Sequence, residues 1–136
     1  MTEEHRIILI AIEKELNRNP ELRFGQALFN LSINESINPE NLSKADYRMR
    51  DIHGDKDSEI ITRIRRRQEW RELQQKIMRA LERPELNGIV GMTVNERLYV
   101  SGLMDDFDKY KKSNQQFARF ILERLKVDPS SIEKIL

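Results

Sequence analysis

Residues 57–83 read DSEIITRIRRRQEWRELQQKIMRALER, and the reading of this stretch decides the fold. Ile60, Ile61 and Ile64 fall at i, i+1 and i+4, and Trp70, Leu73, Ile77 and Leu81 follow at spacings of three and four. That is the period of a helix; a strand would alternate. Asp57 or Ser58 offers a capping oxygen, and Asp57 and Glu59 place negative charge at the positive end of the helix dipole. Arg79 and Arg83 put positive charge in the last turn, and Pro84 ends the helix. The two apolar stripes do not continue one another across Arg65, Arg66 and Arg67. This mismatch predicts a kink or break there, the best candidate boundary inside the chain.

The stretch also carries the only tryptophan and the densest arginine cluster in a chain of 136 residues with net charge +1. The charge is uneven. Residues 1–58 hold 8 basic and 11 acidic side chains, residues 59–83 hold 8 and 4, and residues 84–136 hold 8 and 8. No overall field therefore draws the protein to nucleic acid or to a membrane. With 38% hydrophobic and 35% charged residues, the chain suits a thin helical bundle and is too apolar for wholesale disorder. The absence of cysteine removes disulfides, thiolate metal sites and cysteine nucleophiles. The longest apolar run, Ile7 to Ile12, is too short to span a bilayer, and acidic Glu3 and Glu4 precede it, unlike a signal peptide. The expected location is the cytoplasm, with no membrane partner.

Working outward from residue 57 toward the N-terminus, Thr2, Glu3 and Glu4 mark a helix start. Ile8, Leu9, Ile12 and Leu16 form a stripe that Ile7, Ile10 and Ala11 widen, so this helix is expected to lie in the core. Asn19-Pro20 predicts the start of a second helix running to Leu31, with Phe24, Ala27, Leu28 and Leu31 inward. Residues 33–54 are rich in asparagine and turn formers, anchored only by Leu42, Tyr47, Met49 and Ile52. They read either as a functional loop or as a loop enclosing a short helix near Pro39 to Lys44.

Beyond Pro84, residues 84–92 with Gly88 and Gly91 read as a linker. Thr93 and Glu96 form a capping box for a helix burying Val100, Leu103, Met104, Phe107 and Tyr110 and ending near Lys112. Ser113 or Asn114 caps the next helix, with Phe117, Phe120, Ile121 and Leu125 inward, and Asp128-Pro129 starts a last short one. The expected architecture is all-α, with five to seven helices: an N-terminal region (1–83), the linker (84–92), and a C-terminal hairpin with a short helix (93–136), in one domain or two small lobes.

Residues 23–35 (RFGQALFNLSINE) together with 51–64 (DIHGDKDSEIITRI) resemble small uncharacterised bacterial helical proteins, and residues 92–112 with 127–136 are similar to a second such group. The resemblance implies a bacterial origin and a small accessory protein, and it implies no catalytic residue.

Three constellations invite chemistry. Asp51, His53, Asp55, Asp57 and Glu59 could ligate a hard cation. Counted as an EF-hand from Asp55, however, Ile60 stands where glycine is required and Arg66 where glutamate is required; an Asx-rich turn into a helix cap explains every residue. Arg63, Arg65, Arg66, Arg67, Arg71, Arg79 and Arg83 could neutralise phosphates, but Glu69, Glu72 and Glu82 are interleaved and no nucleic-acid module fits. A solvated face with internal ion pairs such as Glu59–Arg63 and Glu72–Lys76 is the stronger reading, and an acidic protein partner ranks above nucleic acid. His5 and His53 are the only histidines, no serine sits in a nucleophile elbow, the glycines form no phosphate loop, and adjacent Asp105 and Asp106 diverge on a helix. Finally, Leu98 and Val94 point away from the Phe107–Tyr110 stripe and Tyr99 lies at its edge, so an exposed strip there would mark a partner surface.

The expectation is a non-enzymatic protein–protein interaction module of immunity or adaptor type, with no cofactor, metal or catalytic residue. Arg63, Arg65, Arg66, Arg67, Arg71, Leu98 and Tyr99 are the candidate partner-binding residues. The alternative is a nucleic-acid-associated regulator using the Arg63–Arg83 helix, and a metal-dependent enzyme ranks third.

Overall fold

The computed structural model of the protein describes residues 1–37 and 48–136. The stretch Pro39–Lys44, with Leu42 and Tyr47, lies outside the described residues. Among the described residues the fold is all-α, with seven α-helices and no sheet. They are α1 (Glu3–Arg18), α2 (Phe24–Asn30), α3 (Asp57–Leu81), α4 (Val94–Ser101), α5 (Met104–Ser113), α6 (Gln115–Arg124) and α7 (Pro129–Ile135). The chain divides into two compact units, Met1–Glu69 and Trp70–Leu136. Helix α3 contributes to both.

Helix α3 runs for 25 residues without the break that the sequence allows near Arg65–Arg67. The shift of its apolar stripe has another cause: its two ends serve two cores in succession. Ile60 and Ile64 belong to the first core, and Trp70, Leu73, Ile77, Ala80 and Leu81 to the second. No single face has to persist through Arg65–Arg67.

In the first unit, Thr2 and His5 close a reciprocal cap. The Thr2 hydroxyl accepts from the His5 N–H at 3.1 Å, and His5 Nδ1 accepts from the Thr2 N–H at 3.3 Å. Asn19 ends α1 instead of starting the next helix. Its side chain accepts from the Glu21 N–H and its carbonyl from the Leu22 N–H, so Asn19-Pro20 forms a turn and α2 begins only at Phe24. Helix α2 ends with Ser32 in the left-handed region (φ 60). There the Ser32 N–H bonds Phe29 O and the Ile33 N–H bonds Leu28 O, both at 3.0 Å, a Schellman motif made without glycine. The core gathers Ala11, Ile12, Leu31, Ile33 and Ile64, flanked by Ile8, Leu16, Leu28, Ile52 and Ile60. Beyond α2, Ser36 and Met49 form an isolated antiparallel bridge that draws the flanks of residues 38–47 together.

In the second unit, Trp70 lies 5.0 Å from the Phe117 ring and 4.5 Å from the Phe120 ring, and the core continues through Leu98, Leu103, Phe107, Ile121, Leu122, Leu125 and Ile132. Residues 84–92, expected as an unanchored linker, form two short 3-10 turns, Pro84–Leu86 and Ile89–Gly91. Leu86 and Ile89 are buried in the same core, and the division between units falls at Glu69–Trp70. The single helix expected from residue 93 to 112 is two. Gly102, at φ 74, ends α4 in a second Schellman motif, with the Leu103 N–H on Leu98 O and the Gly102 N–H on Tyr99 O. The caps read from sequence form: Thr93 with Glu96, Asn114 to the Phe117 N–H, and Asp128 to the Ser131 N–H. Helix α6 ends in a third Schellman motif, on Lys126 at φ 61.

Candidate interaction surface

The arginines of α3 divide into two sets. Arg63 donates from Nε to Ser32 O and from Nη2 to Ile33 O, both at 3.0 Å, and its Nη1 lies 2.9 Å from Asp55 Oδ2. Arg67 donates to Asn30 O at 3.2 Å. These carbonyls stand at the C-terminal end of α2, where the helix leaves its own acceptors unpaired, so both guanidiniums close a helix end. Arg71 is half-buried and has a partner of its own. Arg65 and Arg66 are exposed and form no ion pair with the described residues. The pairs expected along the helix give way to pairs between elements: Arg63 with Asp55, and Lys76 with Asp106.

The acidic stretch before α3 is likewise divided among separate partners. Asp55 receives Arg50 at 2.7 Å and Arg63 at 2.9 Å, and Arg50 also reaches Glu35 at 3.0 Å. The Arg50 guanidinium, aided by Arg63, holds the Asp55 carboxyl well below its usual range, at about 2. Asp55 in turn raises Arg50 further above its ordinary value. Asp51 accepts from the backbone N–H of His53 at 2.9 Å, and Asp57 meets His5 Nε2 at 2.9 Å. Among the described residues no three such side chains converge on a point where a metal ion could sit. At the start of α7, the hydroxyls of Ser130 and Ser131 depress Asp128.

Leu98 and Tyr99 part company. Leu98 is 1% exposed, in the second core, and Tyr99 is 79% exposed. Leu98 therefore offers nothing to a partner. The reason is the break at Gly102, which gives α4 an inward face of its own, independent of the α5 stripe. Arg97 beside them closes a helix end as Arg63 does, donating to Leu125 O at 3.1 Å and Lys126 O at 2.8 Å. A solvent-open groove of about 440 Å³ runs between Leu86, Ile89 and the end of α6, and its rim mixes Glu123 with Arg124 and Lys126.

Exposed apolar side chains that sequence reasoning missed lie on both units, with Met78 and Val90 on the second and a larger number on the first. Leu9 (51%), Ile10 (49%), Phe24 (59%) and Phe29 (53%) are exposed, although Leu9 and Phe24 read as core residues. Helix α1 buries only Ala11, Ile12 and Glu15 fully. The signal was present in the sequence: Ile7 to Ile12 is an unbroken apolar run, and one helix face cannot hold all of it.

No family model, curated protein or solved structure matches the chain. No helix among the described residues is long and apolar enough to cross a membrane.

Proposed function

We propose that the protein is a non-enzymatic protein–protein interaction module, of adaptor or immunity type, whose contact surface draws on the exposed apolar residues of α1 and α2. The observation that carries this reading is the exposure of Leu9, Ile10, Phe24 and Phe29 on a single small unit. Large apolar side chains exposed in such number on a small fold are characteristic of partner sites, and aromatic residues contribute most strongly to them. The resemblance of residues 23–64 and 92–136 to bacterial proteins supports a bacterial setting, and the cytoplasm is its default compartment.

The surface differs from that expected from sequence. Of the seven candidate residues, Arg65, Arg66 and Tyr99 remain exposed, whereas Arg63 and Arg67 hold the end of α2, Arg71 is half-buried with a partner of its own, and Leu98 is core. Those roles also weigh against the nucleic-acid alternative, because a guanidinium closing a helix end is a poor phosphate ligand.

A photo-crosslinking amino acid placed in turn at Phe29, Phe24 and Tyr99 tests the reading. The expected result is a discrete crosslinked protein from Phe29 and Phe24 and none from Tyr99. Crosslinking from Tyr99 alone would move the interface to the second unit and refute the proposed surface.

A further inference from the structure

We infer that α1 packs antiparallel against α1 of a second copy of this chain, through Arg6, Leu9, Ile10 and Glu13. The inference rests on the interaction reading above and names the occupant of its α1 half.

These four residues stand at i, i+3, i+4 and i+7, which places them on one face of the helix. That face is turned away from buried Ala11, Ile12 and Glu15, and all four side chains are exposed. Neither Arg6 nor Glu13 has an ion-pair partner among the described residues. Along the helix the face reads positive, apolar, apolar, negative.

That order is its own complement when reversed. With a two-fold axis between positions 9 and 10, the antiparallel arrangement sets Arg6 against Glu13 of the second copy, and Glu13 against its Arg6. Leu9 and Ile10 then meet their own counterparts between the two ion pairs. Such an isologous contact closes on itself as a dimer. The parallel arrangement would set Arg6 over Arg6 and Glu13 over Glu13, placing like charges opposite one another, which specific interfaces avoid. At the edge of the face beside Ile10, Lys14 and Glu3 repeat the theme: both are exposed, and reversal brings opposite signs toward each other. One pair of short helices buries a small area, so the association belongs with weak, concentration-dependent contacts.

Sedimentation equilibrium of the full chain from about 10 µM to about 1 mM reads the association directly. The expected wild-type result is a reversible dimer. Arg6→Glu and Glu13→Arg should each raise the dissociation constant about tenfold or more, because each sets two like-charge pairs across the axis. The double variant should recover the wild-type constant. As a second readout, the chain has no cysteine, so Ile10→Cys supplies a unique thiol that a short bifunctional reagent should link between copies, whereas Tyr99→Cys should not link. A wild type monomeric throughout the range overturns the inference, as does a dimer indifferent to both single reversals or a double variant that stays monomeric. If the wild type is monomeric yet Phe29 still crosslinks to another protein, self-pairing is refuted while the broader interaction reading stands.

Discussion

The Nε of Arg63 donates to the carbonyl oxygen of Ser32 at 3.0 Å, and Ser32 is one of two non-glycine residues with positive φ among the described residues. The other, Lys126, has its carbonyl held by Arg97 at 2.8 Å. At the third left-handed helix end, Gly102 lies beside Arg83, which donates to the neighbouring Val100 carbonyl. Each of these helix ends is thus closed twice, by its own Schellman hydrogen bonds and by a guanidinium from elsewhere in the chain. The arginines that attract attention in the sequence as a ligand-binding cluster work in part as helix terminators.

Replacing Arg63 by glutamine should therefore destabilise the fold by ~2–3 kcal/mol, since it removes two charge-assisted hydrogen bonds and one partner of Asp55. Arg66→Gln, at an exposed position on the same helix, should change stability by less than ~0.5 kcal/mol. Denaturant midpoints of the two variants check the contrast, and equal shifts would contradict the assigned roles.

The left-handed positions give predictions of opposite sign. Lys126→Gly should stabilise by ~0.5–1 kcal/mol, because a side chain at φ 61 carries a strain that glycine lacks. Gly102→Ala should destabilise by ~1 kcal/mol or more, since φ is 74 and a Cβ would meet Arg83 Nη1 at 3.3 Å. Thermal unfolding of both variants measures the pair.

Much of this was legible in the sequence and some was not, for identifiable reasons. The caps at Thr2, Thr93, Asn114 and Asp128 are local chemistry and could be read directly. The all-α class followed from the 3.6-residue period of residues 57–83. Asn19-Pro20 misled because the same dipeptide suits a turn and a helix start. The Schellman ends at Ser32 and Lys126 were invisible because no glycine announces them. The exposure of Leu9 and Phe24 was hidden because periodicity assigns residues to a face without saying whether a partner covers it.

Acid should loosen the first unit over a definite window. The carboxyl of Asp55 is depressed to about 2 by Arg50 first and Arg63 second. A carboxylate with a lowered native value contributes stability that is fully present above its ordinary unfolded value of ~3.9, and that is lost as pH falls toward about 2. The expected wild-type behaviour is a decline in stability between those two values. Asp55→Asn should be less stable at neutral pH and should show a shallower decline in that window. Equilibrium unfolding at several acidic pH values measures both slopes, and parallel curves would remove Asp55 as the cause.

Trp70 reports on the second unit. Its ring packs on Phe117 and Phe120, and as a half-buried side chain it should cost ~2–4 kcal/mol on replacement by alanine. Tyr99→Ala, at a 79% exposed site, should leave stability within ~0.5 kcal/mol of wild type. A Trp70→Ala midpoint near wild type would place the indole outside the core.

The sharpest test concerns nucleic acid, because the arginine helix is the feature that most invites that reading. A helix that neutralises six to ten phosphates loses ~10³–10⁵ in affinity between 50 and 200 mM salt through counterion release. Arg63 and Arg67 are already bonded to carbonyl oxygens of the α2 end, and Arg63 also to Asp55. Presenting either to a phosphate would break those bonds and leave helix-end acceptors unpaired. Arg65, Arg66 and Arg79 remain, on a helix that also exposes Glu69 and Glu72, whose charge opposes a phosphate there. Three free guanidiniums cannot generate a slope of that size. Titrations of labelled duplex and single strands at 50 and 150 mM salt should therefore show no submicromolar binding at the higher salt. The informative variant is Arg65→Gln with Arg66→Gln, which leaves the helix-end arginines in place. Submicromolar wild-type binding at 150 mM that this variant abolishes would establish a nucleic-acid surface on α3 and displace the protein–protein reading.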